Sequence, residues 1–223
     1  MKTLTTSHFI HSTFIFLLSI SLCSILFFQC SKKDEDHSPQ TQMECLDLAN
    51  FGLPSESPYS LPFAVDSAYE LTQSYCSGGG RSHNSRFAYD FKMPFWTEIL
   101  AARAGEVVEL REHFLNEDRK GGHENMVCLR HNDETLSLYI HMKHNGVKVE
   151  MGDFVEKGEL LGWIGASGTG FAHLHFQVCL RSGMCSYPLQ EFTIPVNFNN
   201  ADGQHDERGG LIQGIFYCAK QYR

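Results

Sequence analysis

The stretch His173-Leu174-His175-Phe176-Gln177-Val178-Cys179 decides the fold. Apolar and polar residues alternate through it, which reads as a β-strand. Successive side chains of a strand project to opposite faces. His173 and His175 therefore share a face and stand close enough to serve one metal or one reacting water. An isolated pair of histidines two apart is a weak pattern, but this pair follows a glycine-rich turn, Gly165-Ala166-Ser167-Gly168-Thr169-Gly170. Upstream lie His83 with Asp90, and His141 at the end of Tyr139-Ile140-His141. Imidazoles plus one carboxylate, with no obligatory thiolate, are the ligand set of a hydrolytic zinc site.

Working outward, the same alternation recurs in short pieces. Tyr69 to Tyr75 alternates and breaks at Gly78-Gly79-Gly80, and Phe87 to Phe91 is a short strand. Ile99 to Ala102, the Ala104-Gly105 turn and Glu106 to Leu110 read as a hairpin. A charged loop, Leu115 to Glu124, precedes strands at Met126 to Arg130 and Leu136 to His141. Val147 to Val149 and Leu160 to Ile164 flank turns at Gly152-Asp153 and Lys157-Gly158, and the tail from Gly209 can add a strand carrying Cys218. Short strands with turn signals every ~8–12 residues predict an all-β protein, an antiparallel sandwich or open barrel. No long segment has helical periodicity.

The chain has 223 residues, 42% hydrophobic and 20% charged, which suits one globular domain with terminal extras. A formal charge of −8 argues against nucleic acid as a partner, since phosphate recognition needs a basic face. The N-terminus reads as an export segment over residues 1–29: Lys2, then an apolar run from Thr13 to Phe28. Cys30 stands where this run meets Ser31-Lys32-Lys33-Asp34-Glu35-Asp36, as in a bacterial lipobox, although Phe27-Phe28-Gln29 departs from the strict pattern. The expectation is a lipid on Cys30, a flexible tether over 30–57, and membrane anchoring at the cell envelope, periplasmic or surface. An anchor helix or simple secretion are the alternatives. Cys45, Cys76, Cys128, Cys179, Cys185 and Cys218 then remain for disulfides or buried thiols, with ~15 possible pairings.

The order of the pieces carries a resemblance. His83…Asp90-Phe91 is followed by Ala101-Ala102-x-Ala104-Gly105-x-Val107-Val108, then Tyr139-Ile140-His141. Next come Gly152-Asp153-x-Val155-x-Lys157-Gly158 and His173-Leu174-His175-Phe176. The set resembles the M23 family of zinc metallopeptidases, the lysostaphin/LytM-type peptidoglycan endopeptidases, over about residues 58–198 (with 199–223 as a C-terminal extension). The resemblance implies an antiparallel β fold with an active-site groove and one zinc ion per chain. It implies His83, Asp90 and His175 as zinc ligands, with His173 as general base and His141 as oxyanion stabiliser, or the reverse. It also implies a substrate in the peptide part of peptidoglycan. Two departures stand out. Six residues separate His83 from Asp90 where the family has HxxxD, and Gly170-Phe171-Ala172 stands where the family commonly ends in Gly-Pro.

Two other classes compete. One is a catalytically silent M23-like domain that regulates another wall enzyme, but such domains usually lose ligands and this chain keeps the set. The other is a biotinyl- or lipoyl-type carrier, suggested by the Gly152–Leu160 stretch, in which the His/Asp set has no purpose. Any activator protein, the bond cleaved and the membrane concerned lie beyond the sequence. His37, His113, His123, His131, His144 and His205 sit in polar contexts and read as solvated, and Phe95-Trp96 reads as core or rim.

Overall fold

The computed structural model describes residues 45–77, 83, 86–180 and 193–221. The expected export segment, Cys30 and Cys185 lie outside these residues. Twelve strands form within them. They are β1 (Ala68–Gln73), β2 (Ala88–Lys92), β3 (Glu98–Leu100), β4 (Gly105–Arg111), β5 (Met126–Arg130) and β6 (Leu136–Ile140). Then follow β7 (Met142–Val147), β8 (Phe154–Val155), β9 (Leu160–Ile164), β10 (His173–Cys179), β11 (Ala201–Asp202) and β12 (Phe216–Ala219). Nine pair antiparallel in the order β11-β12-β1-β2-β10-β6-β5-β4-β8, and a second sheet runs β3-β9-β7. The all-β, antiparallel architecture read from the sequence is present, and the sheets do not close into a barrel.

The core explains the pairing. Leu174, Phe176 and Val178 of β10, Phe91 of β2 and Tyr139 of β6 are completely buried, as are Ile99, Leu161 and Ile164 of the small sheet. Each fully buried aliphatic or aromatic side chain contributes about 1.5–3 kcal/mol over leaving it in water. Tyr139 spans the layers: its hydroxyl accepts the Ala102 N–H at 2.8 Å. Gly162, at φ +151, allows β9 to pass close to β7; a Cβ there would stand 2.4 Å from the Gly146 carbonyl.

Two expectations need correcting. The stretch 99–110 is not a hairpin: β3 pairs with β9 in the small sheet, while β4 pairs with β5 and β8. The turn between them carries the chain from one layer to the other. Residues 45–57, expected as tether, instead pack on the domain. A disulfide joins Cys45 to Cys76, and the Phe51 ring meets Tyr75 edge-on at 4.5 Å. Apolar Phe51 has somewhere to be buried, which a tether residue lacks. The strand expected in the tail, carrying Cys218, is present as β12 and joins the large sheet, with Glu70 opposite Phe216.

The cysteines divide as the compartment argument allowed. Cys128 is also oxidised in a disulfide, while Cys179 and Cys218 are thiols.

His131, expected to be solvated, is only 2% exposed. Its Nδ1–H donates to the Ala104 carbonyl at 2.8 Å, and burial pushes its pKa below the ordinary value. The unfolded chain therefore takes up this proton first as pH falls. Stability due to a neutral His131 is complete above about pH 6.5 and is lost below it, by at most about 1.4 kcal/mol per pH unit for one proton. Urea midpoints measured from pH 7.5 to 5 should fall, and His131→Gln should flatten the slope. An unchanged slope in that variant would assign the fall to other groups.

Candidate metal and catalytic site

Three strands supply the floor of the site. Gln73 of β1, Asp90 of β2 and His175 of β10 stand in one cross-strand row. Residues directly opposite each other project to the same face. That face of β10 also carries His173, Gln177 and Cys179, and all four side chains are buried rather than solvated. His83 reaches the row from the loop after β1, held by its Nδ1–H, which donates to the Ser74 carbonyl at 3.0 Å.

The hydrogen bonds assign the tautomers. His83 spends its proton at Nδ1, so Nε2 presents a lone pair, 3.4 Å from Asp90 Oδ1. His175 donates from Nε2 to Gln177 Oε1 at 2.9 Å, because the Gln177 amide nitrogen is engaged with Cys179 Sγ at 3.2 Å. Its Nδ1 faces Asp90 Oδ1 at 2.9 Å. A neutral imidazole in that tautomer sets its lone pair against a carboxylate oxygen. Two lone pairs and one carboxylate, all within 4.8 Å of one another and buried, require a proton or a cation between them. Burial pushes the Asp90 carboxyl up, but with a proton on the facing histidines the charge and hydrogen bonds of His83 and His175 outweigh this and hold it well below the usual carboxylate range. The donor set, two nitrogens and one oxygen, therefore fits a zinc ion.

Two glutamines that sequence reading missed orient this set. Gln73, with its amide oriented to satisfy both ends, donates to Asp90 Oδ2 and accepts the His83 N–H, each at 3.0 Å. Gln177 fixes the ring of His175. The signal for Gln177 was available: it continues the face of His173 and His175 two residues on. Partners of this kind typically affect metal affinity by about 10–100-fold. Gln177→Ala should weaken zinc binding by that factor in competition with a chelator, without unfolding the domain. An unchanged affinity would show that the tautomer needs no support.

His141 and His173 lie together beside the row, with ring centroids 4.4 Å apart. Strict alternation along β6 would send His141 inward with Tyr139, since Ile140 is the residue opposite His175. His141 instead adopts φ +70, which swings its ring toward His173. For a non-glycine residue this conformation costs on the order of 1–3 kcal/mol and persists only where the surroundings enforce it. They do so here. His141 Nδ1–H donates to the Ser167 carbonyl at 2.7 Å. The Ser167 hydroxyl bonds Met142 and Asn125, and the Met142 N–H bonds the Asn125 carbonyl. Asn125 and Ser167 were likewise missed, and no local pattern marks either. Burial, then the neighbouring His173, lowers the His141 pKa to about 3, and burial lowers that of His173 as well. Both rings are neutral at pH 7. Each spends Nδ1–H on a backbone carbonyl, His173 on Phe171 at 3.2 Å, and each keeps Nε2 as a proton acceptor. His173 Nε2 lies 3.9 Å from Asp90 Oδ2.

The structure thus brings all five sequence-predicted site residues into one cluster. Residues 84–185 match the model of Peptidase family M23. Lysostaphin from Staphylococcus simulans is 30% identical over 104 residues, 46% of this chain and 20% of the relative. Lipoprotein NlpD from Yersinia enterocolitica is 33% identical over 58 residues, 26% of this chain and 58% of that protein. The matched part is thus about a fifth of lysostaphin's length. Among solved structures, the lysostaphin catalytic domain from S. simulans is 24% identical with a TM-score of 0.43, covering 58% of this chain and 87% of that one. Over residues 84–185, somewhat under half of the chain, the protein is similar to Peptidase family M23.

Proposed function

We propose that the domain is a zinc endopeptidase acting on the peptide part of peptidoglycan. The observation that carries this reading is the buried Asp90 carboxylate, faced by two imidazole lone pairs and flanked by two further neutral imidazoles. His83, Asp90 and His175 would hold the metal. When bound, zinc supplies Lewis acidity toward a water and a peptide carbonyl. His173, the nearer of the pair to Asp90, takes a proton at Nε2 as general base. The proton taken up by His173 passes to Nε2 of the adjacent His141, which donates it to the developing negative charge on the substrate oxygen. Gln73 and Gln177 keep the ligand atoms aimed, and the Ser167 carbonyl keeps His141 from turning.

The peptidoglycan reading rests on the family and on the export segment with Cys30 at its boundary. We propose a lipid on Cys30; the relative named a lipoprotein supports this. Anchoring would keep the enzyme beside its polymer and raise the local concentration. Labelled-palmitate incorporation with intact-mass measurement should place the lipid at residue 30. An unlabelled N-terminus elsewhere would reject it. The function itself is tested by incubating zinc-loaded protein with sacculi and identifying released fragments by mass spectrometry. Fragments ending at a stem- or bridge-peptide bond are expected. Stoichiometric zinc with no cleavage would leave the silent, regulatory alternative.

A further inference from the structure

Beside the metal row runs a second cross-strand row, Phe216–Glu70–Lys92–His173, from the C-terminal strand to the base of the site. It borders a groove of about 670 Å³ that includes Asp90 in its lining. Tyr69, Met93, Phe171 and Phe216 give the groove an apolar character, with Glu70 and Lys92 as polar groups. Phe171 and Phe216 are 61% and 63% exposed, large apolar rings left in solvent in one shared groove. Phe171 is further constrained: its ring stacks on His173 at 4.5 Å and 20°, and its carbonyl holds the His173 proton. Three strand spacings separate β10 from β12, about 14 Å, or the span of about four extended residues.

We propose that this groove is a specificity subsite for an extended peptide, and that Phe171 and Phe216 contact aliphatic side chains of it, selecting against glycine. The inference rests on the peptidase reading and deepens it. Continuity with Asp90 and His173 identifies the occupant: a chain whose reacting bond lies at the metal must run out along one side, and this side is apolar. Phe216 enters only because the C-terminal tail joins the sheet, so the tail is part of the specificity apparatus. A glycine would leave both rings wet. Aliphatic side chains cover them, and discrimination by one such contact is typically about 10–200-fold.

The test uses zinc-loaded full chain and two end-capped probes, acetyl-Ala-Leu-Ala-Ala-amide and acetyl-tetraglycine-amide. Binding is followed by amide shifts in NMR. The leucine peptide should bind at least about tenfold tighter, shifting β1 and β12, and Phe216→Ala should reduce the ratio to below about threefold. Phe216 is an exposed residue, so that variant is expected to fold, and its amide spectrum will verify this. Equal binding of the two probes, no binding of either, or an unchanged ratio in Phe216→Ala would overturn the proposal. Digestion of a mixed peptide library separates this from the parent reading. Selective binding without cleavage would sink the peptidase reading and leave the subsite standing. Cleavage indifferent to glycine would do the reverse.

Discussion

His175→Ala should abolish stoichiometric zinc binding. Elemental analysis of the purified wild-type protein is expected to give one zinc per chain, and the variant close to none. The loss should exceed the ~10–100-fold typical of an orienting partner such as Gln177, because a directly facing nitrogen is removed. His175 Nδ1 is 2.9 Å from Asp90 Oδ1, and His83 Nε2 is 3.4 Å from the same oxygen. Without His175, one imidazole and one carboxylate remain, too few donors to fix a tetrahedral ion against solvent. His83→Ala and Asp90→Asn should behave alike. The apo protein should retain its fold, since Leu174, Phe176 and Val178 bury the other face of β10 independently of the metal. A His175→Ala protein that keeps stoichiometric zinc would remove the assignment of all three ligands.

The parts of this site that could be read from the sequence are those governed by local periodicity. Alternation in 173–179 placed His173 and His175 on one face, and the same rule found β1, β2, β5, β6 and β9. Long-range register was not legible. Nothing near Gln73 announces that it stands opposite Asp90, because a polar residue in a strand ordinarily reads as a solvent-facing one. The tail could be suspected of a strand, but its place beside β1, and hence Phe216 in the groove, depends on pairing across some 145 residues. The supposed hairpin at 99–110 failed for a related reason. Short spacing favours pairing of neighbours, yet the Ala101 N–H bonds Glu159 and the Gly158 N–H bonds Ala101, so tertiary partners won. His131 misled in the opposite way. Its polar neighbours Asn132 and Asp133 are exposed, but its own ring turns inward against Tyr59 at 5.5 Å.

The sharpest separation of roles comes from the two remaining histidines. His141→Ala and His173→Ala should each retain one zinc and the fold while losing about 10²–10⁴-fold in cleavage rate, the usual contribution of a positioned acid–base group. Neither ring faces the Asp90 oxygen shared by His83 and His175; His173 Nε2 lies 3.9 Å from the other oxygen, Oδ2, and His141 meets the set only through His173 and the edge of His175. Their Nδ1 protons are committed to Ser167 and Phe171, so Nε2 alone is free for chemistry in each. The His141→Ala variant has a second consequence. The strained φ of +70 persists, but alanine has no side chain to hold against Ser167, so thermal stability should also fall by about 1–3 kcal/mol. His173 adopts no such conformation, and its variant should lose rate with a smaller loss of stability. Zinc content, cleavage rate and melting temperature measured side by side distinguish the cases. Loss of zinc in either variant would mean that ligand and catalyst have been exchanged. Full activity in either would remove that ring from the reaction.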